Sequence, residues 1–346
     1  MYYIYMYSNE VKTQNFFLYW LAISLILVFL LIIIGGLTRL TNSGLSIIEW
    51  ELFKGILPPL NDNSWNLYFE KYKTIPQYKL LNFDMSLEEF KVIYYWEYIH
   101  RILARIIGLF FLIPLIYFYF SDKINKRYLS ICSIIFFLIL VQGIIGWYMV
   151  KSGLVYDVTV SHYRLSLHLG TAIIIISSIF WLLKNVLEKK NKIFFNLSLK
   201  NLPFLFLILI IFFQVIVGAF VSGLDAGNIY QTWPMMGNTY FPNDIIYRNF
   251  FNLLEFDNHS LVQFYHRNLA YIIIFYSLIL TITIYKRRHS RLYKPVKILN
   301  IVLALQVSLG IITLISGLNI YMASAHQILA VLLIFSAVNL YYFNIK

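Results

Sequence analysis

The stretches QGIIGWYMVKSGL, residues 142–154, and QVSLGIITLISGL, residues 306–318, decide how this chain is read. Gln142, Gly146, Ser152, Gly153 and Leu154 recur as Gln306, Gly310, Ser316, Gly317 and Leu318 at one constant offset. A second set, Gly35, Gly44 and Trp50, recurs as Gly218, Gly227 and Trp233, again at a single offset. Self-similarity at fixed spacing marks an internal duplication, and it has to be recognised before any element is assigned.

Working outward, the duplicated pieces lie in or beside long apolar runs. Hydrophobic residues make up 60% of the 346 and charged residues only 13%, against about 45–50% and 25% in a soluble domain. A spanning helix needs about 20 mainly apolar residues, and such stretches fall near 16–37, 93–118, 128–150, 162–183, 203–222, 261–285, 298–317 and 322–344. The last two form one uncharged run that Ser316, Gly317, Asn319 and Ser324 divide. The expected fold is therefore an all-α membrane protein of eight transmembrane helices, arranged as two pseudo-symmetric four-helix bundles over residues 1–190 and 191–346. With four spans per half, the halves run in the same direction, a parallel repeat.

Charge sets the expected orientation. A net charge of +12 would point to nucleic acid in a soluble chain, but here the basic residues crowd short loops. Lys123, Lys126 and Arg127 follow the second span; Lys184, Lys189, Lys190, Lys192 and Lys200 the fourth; Lys286, Arg287, Arg288, Arg291, Lys294 and Lys297 the sixth. By the positive-inside bias these loops and both termini face the cytoplasm, or the matrix of a mitochondrion. The partner this implies is a lipid membrane and not nucleic acid. Opposite loops carry Glu49, Glu51, Asp62, Glu70, Asp84, Glu88 and Glu89, then Asp225, Asp244, Glu255 and Asp257. The first apolar run is too long for a signal-peptide core and lacks a small-residue cleavage site, so it reads as a retained helix. One cysteine, Cys132, excludes an intramolecular disulfide and a thiolate metal cluster.

Within this frame the chemistry falls on histidines. His100-Arg101 and His266-Arg267 sit on the second helices of the two halves, and His168 and His326 on the fourth. Ionisable residues in spans are costly and usually face the bundle interior in a functional role. A lone histidine there is more often a hydrogen-bonded packing residue, but four in matched places, all toward the outer ends of their helices, favour ligation. Paired imidazoles suit heme, whose macrocycle supplies the equatorial nitrogens and leaves only axial positions to the protein. A protein-only zinc or copper site would want three or four convergent ligands. Arg101, Arg267 and Arg164, the last one turn before His168, are placed to meet carboxylates such as heme propionates; the plainer alternative is snorkelling to lipid headgroups. His162, His259 and His289 read as non-ligands.

Glu97 breaks the symmetry. It precedes His100 by three residues on a shared helix face, where the other half has Gln263 before His266. A carboxylate there suits a general base, or a charge that stabilises a cationic carbon. The alternative is an interfacial glutamate paired with Arg101 or Arg105, an exposed type of pair worth about 0–1 kcal/mol.

These residues, with Gly35-Gly36-Leu37-Thr38-Arg39-Leu40-Thr41, Ser43-Gly44-Leu45-Ser46, Glu49-Trp50, Pro58-Pro59, Glu97-Tyr98-Ile99-His100-Arg101, Tyr163-Arg164-Leu165, Gly223-Leu224-Asp225-Ala226-Gly227, Thr232-Trp233-Pro234 and His326-Gln327, resemble the heme A synthase family from the first helix to the last. The resemblance implies a membrane oxidoreductase that oxidises a methyl group of heme O to the formyl group of heme A, through a hydroxylated intermediate, for cytochrome c oxidase. It implies axial ligation of a resident heme b by His266 and His326, with Arg267 beside it. It further implies that His100 and His168, with Arg101 and Arg164, bind the substrate heme O next to a catalytic Glu97. Heme O synthase (protoheme farnesyltransferase), cytochrome oxidase assembly factors and an unidentified electron acceptor are the implied partners; a homo-oligomer is compatible with the sequence. The implied location is a bacterial inner membrane, or a mitochondrial one for an organelle-encoded chain. Some members carry a cysteine pair in the first outer loop, and this chain resembles the branch without it. The rivals are an electron-transfer cytochrome b, which the placement of all four histidines at one side disfavours, and a heme transporter, in which Glu97 would have no evident role.

Overall fold

Chain segments free of charge over some 20 residues must satisfy their backbone internally once in lipid, and helices do so. The computed structural model describes residues 2–50, 54–156, 158–245 and 253–345, and among these it is helical, with no strand formed. The helices are α1 (Tyr2–Leu40), α2 (Asp62–Lys73), α3 (Pro76–Leu81), α4 (Leu87–Ser121), α5 (Lys126–Tyr156), α6 (His162–Leu187), α7 (Leu202–Gly223), α8 (His259–Lys286), α9 (Tyr293–Ile315) and α10 (Ile320–Asn344). Eight of them, α1 and α4 to α10, are long and apolar enough to cross a membrane, and each contains or closely overlaps one of the expected spans. The protein is thus a multi-pass, all-helical membrane protein. Glu51 lies outside the described residues.

The break between α9 and α10 has a local cause. Gly317 and Leu318 both adopt positive φ, +69° and +60°. The Leu318 N–H turns back to the carbonyl of Thr313 at 3.0 Å and so closes the end of α9. Asn319 then caps α10, its side-chain oxygen accepting from the N–H groups of Tyr321 and Met322. Glycine in the left-handed region followed by an asparagine cap is a stop and a start in three residues.

The described residues form two compact units. The first takes in the chain up to Val160 with Ile174–Asn191; the second takes in Ser161–Ile173 and the chain from Lys192. In the first, α1 packs along α4, where Trp20 donates to the Phe110 carbonyl at 3.1 Å and its ring meets Phe111 and Phe118. In the second, α7 packs on α8 and α10, and α9 on α10. A buried amide joins α8 to α9 there: Ser277 donates to Asn300 Oδ1 at 2.7 Å, and Asn300 Nδ2 donates to Thr281 at 2.9 Å.

The segment between α1 and α4, rich in acidic residues, contains two helices. Asn61 caps α2 by accepting from the Ser64 N–H, and Trp65, Phe69 and Tyr72 line one buried face at helical spacing. With Ile75, Phe90, Ile93, Tyr94, Leu45 and Ile47 they form an aromatic core that seats α2 and α3 on the start of α4. Helix α4 begins six residues before the expected span, because Ser86 and Glu89 form a reciprocal capping box. Its 35 residues are about 50 Å long, so it extends past a hydrocarbon layer of about 30 Å and carries the outer segment.

Candidate functional site

The edge of an imidazole ring can press against the backbone of a neighbouring helix only where no side chain stands in the way. Three of the four candidate histidines meet that condition on a glycine. A methyl group added at Gly35 of α1 would fall 2.9 Å from Cε1 of His100 on α4. One at Gly218 of α7 would fall 3.0 Å from Cε1 of His266 on α8, and one at Gly310 of α9 would fall 2.9 Å from Cε1 of His326 on α10. Gly35 and Gly218 are one of the repeat-matched pairs, whose recurrence is explained by close approach of a histidine ring at both; Gly310 belongs to another pair.

In the second unit the expected pair meets. The rings of His266 and His326 lie with centroids 6.4 Å apart and planes at 79°. Two metal–imidazole bonds of about 2 Å, with about 1 Å more from each nitrogen to its ring centre, span roughly 6 Å. His326 Nδ1 is 3.1 Å from the carbonyl of Gln306. A carbonyl only accepts, so that nitrogen carries the proton and Nε2 keeps its lone pair for a metal. Gln306 Nε2 lies 3.5 Å from His326 Nε2, and Gln214 Nε2 lies 3.4 Å from His266 Nε2. Among the described residues no three His, Cys, Asp or Glu side chains converge as a protein-only metal site would require. The donor set therefore fits a macrocycle that needs two axial imidazoles.

Arg267, next to His266, does not reach outward to headgroups. It donates to the carbonyls of Tyr230 (2.9 Å), Thr232 (2.8 Å) and Met235 (3.2 Å), and so docks the second outer segment onto α8. Its Nε is buried without a partner, one donor left over for a carboxylate. Gln263 donates to the same Tyr230 carbonyl at 2.9 Å.

In the first unit Arg101 acts in the same way at positions one repeat offset earlier. It donates to the carbonyls of Ile47 (2.9 Å) and, more weakly, Glu49 (3.4 Å), and its guanidinium lies over the Trp50 ring at 5.0 Å. What differs is Glu97. The carboxylate is 2% exposed; Oε1 accepts from Arg101 Nε at 3.0 Å and Nη2 at 2.5 Å, and Oε2 accepts from Ser46 Oγ at 2.7 Å and the Ile47 N–H at 2.9 Å. Arg105 instead donates to the Gly55 carbonyl at 3.1 Å. The Glu97–Arg101 pair anticipated by spacing is present, but it is buried under the outer segment. The small energy of an exposed pair therefore does not apply: breaking a buried pair costs several times more.

His168 lies half-buried on α6, in the stretch Ser161–Ile173 of the second unit, with Arg164 one turn before it. That stretch packs tightly on α7, since a methyl group at Gly170 would fall 2.8 Å from Ile216. Of the other histidines, His162 is buried and pairs with Asp257 at 3.3 Å, while His259 and His289 are exposed. Ser46, Gln214 and the docking roles of both arginines escaped sequence reasoning. The constant offset between segments 47–50 and 230–233 was the one available sign that the two outer segments are held alike.

The chain is similar to a set of known proteins over nearly its whole length. The family model described as "Cytochrome oxidase assembly protein" matches residues 18–338. A protein named heme A synthase from Pelagibacter ubique is 46% identical over 337 residues, 96% of this chain and 99% of its own. Those of Rickettsia felis and Rickettsia prowazekii, with the same name, are 45% identical over 332 residues and 41% over 326. They cover 94% and 93% of this chain, and 97% and 96% of their own length.

Proposed function

The chain belongs to the cytochrome oxidase assembly family that includes the heme A synthases, as an oxidoreductase converting heme O to heme A, and on that premise we propose that its two histidine pairs divide the work. The C-terminal half, residues 191–346, holds a resident heme b between His266 and His326, with Arg267 Nε available to a propionate. The N-terminal half, residues 1–190, receives heme O at His100 and His168, with Arg101 and Arg164 nearby. The observation that carries this reading is the convergence of His266 and His326, with Nδ1 of His326 tied to a carbonyl. When bound, a bis-imidazole heme supplies one-electron redox chemistry; everything else falls to the chain's own groups.

Going from methyl to formyl is two two-electron oxidations: a water supplies the oxygen of the hydroxymethyl group as two electrons and two protons leave, and a second water with the same losses gives the hydrated aldehyde, which loses water to leave the formyl group. The electrons pass to an acceptor outside the chain. Positive charge develops on the reacting carbon as they leave. Glu97 was read as base or as fixed charge, and its surroundings favour the second. Both oxygens already accept hydrogen bonds, from Arg101, Ser46 and the Ile47 N–H. A carboxylate held this way, by a guanidinium, a hydroxyl and a main-chain N–H, is oriented and buried, which is what electrostatic stabilisation requires. The matched Gln263 carries no charge, consistent with a half that keeps its heme unchanged. The acidic outer segments face the periplasm or intermembrane space and the basic loops the cytoplasm or matrix, in a bacterial or mitochondrial inner membrane. Heme O synthase and cytochrome oxidase assembly factors are its proposed protein partners.

The test is expression in a host that makes heme O but no heme A, followed by chromatography of extracted hemes. Heme A is expected. Unchanged heme O beside a heme-loaded protein would favour an electron-transfer cytochrome.

A further inference from the structure

Buried amides inside apolar helices cost free energy unless each polar atom finds a partner. Gln214 lies within α7, an otherwise apolar helix, and satisfies only half of its amide. Nε2 donates to the main-chain carbonyl of His266 at 2.9 Å and lies 3.4 Å from His266 Nε2, while Oε1 is buried with no partner. Gln306 of α9 is placed in part alike at His326, with Nε2 at 3.5 Å from the ring Nε2 and Oε1 again unpartnered, but there it is the Gln306 main-chain carbonyl that meets the ring, at Nδ1. Two amides thus border the two ring nitrogens that would face the iron of a heme held between these histidines.

The two glutamines differ also in their repeat matches. Gln306 has a repeat match in Gln142, but the position matching Gln214 at the offset of the first helices is Leu31. At the position matching Gln214 the first unit therefore has an aliphatic side chain that offers no amide. By gripping the carbonyl of His266, Gln214 fixes the turn that carries the ligand. Standing 3.4 Å from Nε2, it would also limit rotation of the His266 ring when that ring held a heme.

We infer that Gln214 is a positioning residue for the heme of the second unit, one that makes this site retain its heme and sets the orientation of the His266 ring. This rests on the reading that His266 and His326 hold a heme. The experiment uses purified, heme-loaded full-length protein. Gln214→Met keeps the side-chain volume and removes the amide; Gln214→Leu installs the residue of the matched position and serves as the second variant. Heme transfer to apomyoglobin should accelerate about tenfold or more, the lower end of the usual effect of removing a group that orients a metal ligand. The low-spin ferric EPR spectrum should shift, which a change confined to packing elsewhere would not cause. Wild-type transfer rates and an unshifted EPR spectrum in both variants would overturn the inference. Retention of heme by His266→Ala and His326→Ala would instead overturn the underlying assignment. Loss of heme from those two with Gln214→Met indistinguishable from wild type would refute the role of Gln214 alone.

Discussion

Replacing Glu97 by glutamine should stop heme O oxidation and loosen the outer segment in the same protein, because one carboxylate serves both. Glutamine can keep one acceptor for Ser46 and the Ile47 N–H, as Oε2 does now at 2.7 and 2.9 Å. Its NH2 group would then face the Arg101 guanidinium, where Oε1 now accepts two hydrogen bonds. Side-chain exposures of 2% and 10% place the pair in the buried class, for which removing one partner costs about 3–5 kcal/mol. Arg101 retains the Ile47 carbonyl at 2.9 Å, so the low end, about 3 kcal/mol, is expected. That is about a hundredfold greater opening of segment 43–50, since each 1.4 kcal/mol is tenfold. Hydrogen exchange over residues 43–50 reads the opening, and chromatography of heme O, the hydroxymethyl intermediate and heme A reads the chemistry. Adding Arg101→Gln removes the stranded cation. Because it also loses the Arg101 bonds to the Ile47 and Glu49 carbonyls, the double variant should recover only part of the protection and remain inactive. Wild-type heme A from Glu97→Gln would remove the residue from the mechanism, and unchanged exchange would refute its hold on residues 43–50.

Gly310→Ala would place a methyl group 2.9 Å from His326 Cε1; the ring must shift at about 1–3 kcal/mol of overpacking, and the resident heme should become easier to extract. Gly35→Ala makes the same clash with His100 and should lower heme A formation while leaving heme b content near wild type, both read from extracts of one preparation. Single cysteines at Asn63 and Asn243, in a Cys132→Ser background, should react with an impermeant reagent from the periplasmic or intermembrane side. Labelling of both only from the other side would reverse the orientation.

The spans were legible because charge-free length is a sufficient signal in a membrane, and the break between α9 and α10 because Gly317 and Asn319 are stop and start residues in themselves. Helices α2 and α3 are marked only weakly, by the Asn61 cap and the spacing of Trp65, Phe69 and Tyr72, a short amphipathic face among many polar and charged residues. The histidines and Glu97 stood out by repeat and by its violation. The partners of Glu97 did not, since Ser46 and the Ile47 N–H lie some fifty residues away and nothing local marks them. Docking of Arg267 on the Tyr230, Thr232 and Met235 carbonyls leaves no trace in side-chain chemistry at all, because the acceptors are backbone. Burial of the Glu97–Arg101 pair follows from that same invisible packing.

The division of labour between the halves is tested most directly by the heme content of four purified proteins, His100→Ala, His168→Ala, His266→Ala and His326→Ala, measured by chromatography after detergent extraction. Tightly held heme b should be lost from the last two and largely kept by the first two, whose defect is in converting heme O. Equal loss of heme b from all four, or its retention by His266→Ala and His326→Ala, would contradict the account.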